Sequence, residues 1–215
     1  PTRGWPDLDQ RDGALWERSP MGELRISGDL PADAQVADGI PELRANVLIA
    51  LASVRDSVVA VTSPHASEKR RHVAAHLAAA LAVTGRRVLL IDADVAPGAA
   101  TSGNGAPVDL GNNLFARASA AVLSGDPALL LSEAFEAELG ARRSEFDITV
   151  VACPALLDVP ETRAVAAMAT GALLVVDDGH SNRDDAIRAA RIMRDAGVRT
   201  LGAVIAQPGR GASGG

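Results

Sequence analysis

Four charged residues and a histidine in a row, Glu68-Lys69-Arg70-Arg71-His72, come shortly after the apolar stretch VVAVTS at 58–63. A second apolar stretch, VLLIDAD at 88–94, ends in two carboxylates, Asp92 and Asp94. Cations at a helix start and carboxylates at a strand end are the groups with which proteins hold phosphate and Mg²⁺. A working phosphate loop reads G-x-x-x-x-G-K-[ST], because glycine lets successive N–H groups curl around phosphate oxygens. Between Ser63 and Val73 there is no glycine. The position is that of a phosphate site, and the residues that should bind phosphate are missing from it.

The elements that would position these groups alternate along the chain. PELRANVLIALASV, from Pro41, reads as a helix, and 58–62 as a strand. A helix follows over 69–84, with Val73, Leu77, Ala80 and Leu81 at i, i+4, i+7 and i+8, and Gly85 ends it. Strands are expected at 88–91, 148–151, 173–176 and 201–205. Helices are expected at 116–123, 127–143, 161–168 and 183–196, and 96–113 reads as a glycine-rich loop. All five strand candidates are near-continuous apolar runs, the pattern of strands buried on both faces. The expected fold is therefore α/β: a doubly wound, mostly parallel sheet, with ligands outside the carboxyl ends of the strands, where Thr62, Asp92 and Ala152 lie. Residues 1–37 are polar and read as an arm or linker, with Trp5 and Trp16 its only large apolar groups. The α/β domain spans 38–208, and 209–215 reads as a flexible tail.

Composition narrows the function classes. At 215 residues the chain suits one domain plus tails. Aromatics make up only 2% of it, so a core drawn from its 47% apolar residues must be Ala, Val and Leu. A net charge of −6 argues against general nucleic-acid binding. Cys153 is the single cysteine, so no internal disulfide forms. No apolar run approaches the ~18 residues of a membrane span.

In their order along the chain, several short segments resemble the bacterial tyrosine kinases. These are cytoplasmic domains of polysaccharide co-polymerases that control capsule or exopolysaccharide chain length, and they belong to the deviant-Walker group with the ParA and MinD proteins. The resemblance covers about 38–206. Leu43-Arg44-Ala45-Asn46 is similar to the family's LRTN helix end, and Thr62-Ser63-Pro64 with Glu68 to its TSP…E. LLIDAD at 89–94 matches the second acidic motif letter for letter. Asp126-Pro127-Ala128-Leu129-Leu130-Leu131, followed by Phe146-Asp147, resembles N-P-x-E-L-L and FD. The resemblance implies a P-loop NTPase-like fold with ATP and Mg²⁺ as ligands.

The departures from that family bear on activity. Arg70 stands in the lysine slot, Arg71 replaces the hydroxyl that binds Mg²⁺, and Lys69 replaces a glycine beside the phosphates. Ala152 stands where the Walker B aspartate belongs, with Cys153 and Ala155 replacing a threonine and a proline. No arginine follows the second acidic motif, and Ala206 replaces the adenine-contacting asparagine. The oligomerisation motif E-x-x-R-x-x-R is reduced to Asp38, Pro41 and Arg44. These 215 residues hold no tyrosine, so the tyrosine-rich tail that the family phosphorylates is expected to be absent. Phosphoryl transfer is almost entirely positioning and charge stabilisation, so these losses together imply a degenerate phosphate loop and no turnover.

The expected site is thus a vestigial nucleotide site of Glu68, Lys69, Arg70, Arg71, His72, Asp92, Asp94, Ala152 and Ala206. No catalytic residue and no cofactor are expected, and Asp92 and Asp94 are the only metal candidates. A carboxylate pair in a cleft is costly when unpaired, so a guanidinium from Arg70 or Arg71 should neutralise it. The basic run could instead hold an anion such as a lipid or sugar phosphate at the helix start. His72 and His76 stand at i, i+4 without the Glu of a zinc hydrolase. His65 and His180 lie in no motif. Cys153 reads as a small buried hydrophobe, and Arg183, Arg188, Arg191 and Arg194 as a solvated helix face.

The expected function is a non-catalytic regulatory or assembly domain at the cytoplasmic face of the membrane. Its partners would be a membrane-anchored co-polymerase region upstream, joined through the 1–37 arm, or other export proteins, with self-association allowed. The competing expectations are an active tyrosine autokinase binding ATP through an unusual loop, and a ParA- or MinD-like positioning protein.

Overall fold

In the computed structural model, residues 39–94, 106–142, 145–177 and 181–206 are described. The 1–37 arm, Trp5, Trp16, Asp38, His180 and the 209–215 tail lie outside the described residues, as does most of the glycine-rich loop.

Strands form where β-branched and apolar residues run together. They are β1 (Ser57–Thr62), β2 (Val88–Asp92), β3 (Val108–Asp109), β4 (Leu114–Ala118), β5 (Ile148–Ala152), β6 (Gly171–Asp177) and β7 (Thr200–Ala206). They make one sheet in the order β3-β4-β2-β5-β1-β6-β7. Every pairing is parallel except the short β3–β4 contact. β1 lies between β5 and β6, and β2 on the far side of β5. All residues of β1, β2 and β5 are buried, as expected for strands covered on both faces.

Helices cover both faces of the sheet. α1 (Ile40–Ala50) and α2 (Glu68–Ala82) pack on one face, burying Ile40, Leu43 and Val47 with Val73, Leu77 and Leu81 against Val59, Val61, Leu90 and Val150. α3 (Ala120–Ser124), α4 (Glu133–Arg142), α5 (Thr162–Met168) and α6 (Arg183–Asp195) contribute to the other core. There Val122, Phe135, Leu139, Val165 and Met193 meet Val58, Leu89, Ile91 and Val151. The doubly wound α/β class expected from the sequence is the observed one.

Two expectations need correction. Residues 116–123 are not one helix. β4 occupies Leu114–Ala118 and α3 begins only at Ala120, where Ser119 caps it by accepting the Val122 N–H. Arg117 breaks the apolar run that would have marked a strand, and its charge is met by Glu138 at 3.1 Å. The segment 127–143 is likewise divided. Pro127–Leu131 is a 3-10 turn, and Ser132 restarts the chain as α4 by accepting the Phe135 N–H.

Candidate functional site

Parallel strands bring their carboxyl ends to one edge. Register aligns Asp92 and Val61 with Ala152, and Asp177 with Ala206. Thr62, Asp92, Ala152, Asp177 and Ala206 therefore share the edge from which α2 departs, and all five are buried.

α2 presents three cations to this edge. Lys69 Nζ lies 2.8 Å from Asp177 Oδ1. Arg71 Nη2 lies 2.9 Å from Asp92 Oδ2, with its Nε 3.4 Å from Asp94 Oδ2. Arg70 is 2% exposed; it forms a salt bridge with Asp94 Oδ2 and donates from Nη1 to Ser63 Oγ at 2.8 Å. The pairing expected between the arginines and Asp92 or Asp94 is present, made by both arginines. Asp92 Oδ1 also accepts the Asp94 N–H, at 3.0 Å. Burial pushes the Asp92 carboxyl above its ordinary range, and Arg71 draws it part of the way back. Burial also opposes the charge on Arg71, but the attraction of Asp92, with Asp94 and Glu68, outweighs it and raises that pKa.

The loop between β1 and α2 is tied to the chain after β5. Thr62 Oγ1 donates to the Pro154 carbonyl at 2.7 Å, and Leu156 and Leu157 donate their N–H groups to the Ser63 and Pro64 carbonyls. Ser63 Oγ donates to the His65 carbonyl at 2.6 Å. The Ala66 N–H donates to Asp158 Oδ2 at 2.9 Å. A loop amide is thus taken up by one of the chain's own carboxylates. Ser67, at the start of α2, makes no capping bond; its hydroxyl donates to Asp177 Oδ2 at 2.9 Å.

Sequence reasoning missed Asp177. It gathers Lys69 and Ser67, and its signal was the same as that of Asp92: an aspartate ending an apolar strand. His65 was passed over as well, though its ring stands between Asp158 and Asp185. Of the expected residues, Glu68 is exposed and His72 half-buried in the first turns of α2. His76 is buried, and its Nδ1 has no hydrogen-bond partner; burial first, and then His72, lower its pKa. Burial pushes the Cys153 thiol up to about 12 despite Arg70 nearby, so it is a protonated core side chain. Among the described residues, no three His, Cys, Asp or Glu side chains group so as to hold a metal.

No family model matches the chain, and no curated protein sequence matches it. Solved structures do match. The kinase domain of the Escherichia coli tyrosine kinase ETK is 19% identical at a TM-score of 0.71, over 92% of this chain and 89% of that one. The BceF tyrosine kinase domain is 22% identical at 0.66, over 79% and 76%. MinD from Aquifex aeolicus is 22% identical at 0.51, over 69% and 68%. The fold is therefore the α/β fold of P-loop NTPases. Its structural neighbours include the two groups to which the sequence motifs pointed, tyrosine kinase domains and MinD.

Proposed function

We propose that this chain is a non-catalytic member of the tyrosine-kinase-like domains, serving regulation or assembly in capsule or exopolysaccharide chain-length control and export. The observation that carries the reading is the mutual neutralisation of Lys69, Arg70 and Arg71 by Asp177, Asp94 and Asp92. Mg²⁺ needs near-octahedral oxygen ligands at short range. Here the two carboxylates nearest that role already hold guanidinium groups, and the Ala152 side chain brings no oxygen. The residues present therefore do not fit a Mg-nucleotide, and the cations that would meet phosphate are turned to the protein's own carboxylates.

On this reading, residues 1–37 join the domain to a membrane-anchored co-polymerase region, and the domain acts at the cytoplasmic membrane face through export partners or copies of itself. Among the described residues no helix is long and apolar enough to cross a membrane. Titration with Mg-ATP, followed by calorimetry and thermal shift, tests the proposal. The expected outcome is no heat of binding and no stabilisation. A gain near the ~2.7 kcal/mol that a ligand gives at a hundredfold excess over Kd would establish the ATP-binding alternative instead.

A further inference from the structure

We propose that His65, Asp158 and Asp185 form a proton-dependent clasp that holds the β1–α2 loop against the chain after β5 and the start of α6. His65 Nδ1 lies 2.7 Å from Asp158 Oδ1, and its Nε2 lies 3.3 Å from Asp185 Oδ2. A carboxylate oxygen only accepts, and a neutral imidazole carries a single N–H. One of the two ring nitrogens would then face an oxygen lone pair with a lone pair of its own. Only the imidazolium satisfies both contacts.

The clasp joins three segments that are distant in sequence. His65 belongs to the loop, Asp158 to the connection between β5 and α5, and Asp185 to the first turn of α6. The same Asp158 carboxylate accepts the Ala66 N–H through Oδ2. The charge state of His65 therefore bears on the backbone of the loop itself. Among the described residues, the charged groups set against the ring are Asp158 and Asp185, one from each neighbouring segment. Its hydrogen bond to Asp158 is the largest influence, and with the attraction of both carboxylates it outweighs the slight burial, so the pKa of His65 is raised. A raised pKa means that the clasp contributes in full below about 6.5 and is lost as pH rises through the raised value. A shift from mildly acidic to alkaline conditions loosens the clasp at His65 and Ala66, while the bonds at Thr62, Ser63 and Pro64 and the buried ion pairs deeper in the site stay closed.

NMR titration of the imidazole in the full chain tests the charge state. The midpoint of His65 should lie above the ordinary 6.5 and fall in Asp158→Asn and in Asp185→Asn. A midpoint that neither substitution moves would overturn the clasp. Hydrogen exchange at the Ala66 amide tests the coupling to the loop, with wild type and His65→Gln compared at the same pH. At about pH 5.5 the variant should exchange several-fold faster, and by about pH 9 the two rates should converge. A rate ratio that stays constant across that range would show that the ring has no proton-dependent hold on the loop. His65 and Asp158 are both substantially exposed, so these variants should fold.

Discussion

α2 and α6 both leave the carboxyl edge of the sheet and both carry dense charge, but they use it in opposite ways. α6 is built as a helix in water. Asn182 caps it by accepting the Asp185 N–H, Asp184 and Asp185 stand in its first turn and Arg194 in its last, and only Ala189 and Met193 are buried. Apart from Arg183 and Asp195 at its two ends, that order matches the helix dipole, which favours anions at the start and cations at the end. α2 reverses it. Lys69, Arg70 and Arg71 outnumber Glu68 in the first turn, no basic residue stands in the last, and the residue before the helix makes no capping bond. Misplaced charge costs about 0.3–1 kcal/mol per residue at an exposed helix end. A broken buried ion pair costs about 3–5 kcal/mol. The second quantity is the larger, so the cations of α2 are best understood as tertiary parts that the helix tolerates.

The largest test of this contrast is at Arg70. Arg70→Met, which leaves Asp94 only its longer contact with Arg71, should lower unfolding stability by up to about 3–5 kcal/mol in urea denaturation. Adding Asp94→Leu should recover much of that loss, because the under-compensated carboxylate is gone and Arg71 still has Asp92. If Arg70→Met costs under about 1 kcal/mol, Arg70 is no more than a surface charge like those of α6.

A smaller effect is expected from His76, buried on the same helix. Its pKa is lowered by burial, so the unfolded chain takes up a proton before the folded one does. Stability should therefore fall as pH drops below about 6.5, by at most about 1.4 kcal/mol per pH unit, and His76→Leu should flatten that limb. The sign is opposite to that of His65, whose contribution is lost on the alkaline side. The measurement is cleanest in a His65→Gln background, by thermal melts across the range.

The smallest effect belongs to α6. Arg194 and Asp195 are paired at 3.0 Å, but their side chains are 72% and 68% exposed. Arg194→Ala should change stability by no more than about 0.5 kcal/mol, and added salt should erase even that. A larger loss would mean that the charges at the end of α6, and not only Asp185 at its start, support the fold.

Much of this arrangement was legible before any coordinates. The apolar runs of β1, β2 and β5 were plain because each is buried on both faces. β4 was hidden because Arg117 sits inside it, its charge met by a glutamate from α4 that no local pattern could reveal. The Arg–Asp pairing was foreseeable, since two strand-end carboxylates without metal require cations and the neighbouring helix supplies them. Asp177 was overlooked because its partners Lys69 and Ser67 lie 108 and 110 residues away. The same distance problem hid His65, whose partner Asp158 is 93 residues along the chain.

The sequence by itself determined the layered α/β order, the absence of glycine from the β1–α2 loop, and the basic run and aspartates set beside it. The tertiary structure alone decided which cation meets which carboxylate. Successive helix residues point about 100° apart. Lys69, Arg70 and Arg71 thus fan out to Asp177 on β6, to Asp94 with Ser63, and to Asp92 on β2. Consecutive letters became three separate bonds because strand order places β6 on one side of β1 and β2 on the other. That order is a property of the sheet, and no stretch of the chain spells it out.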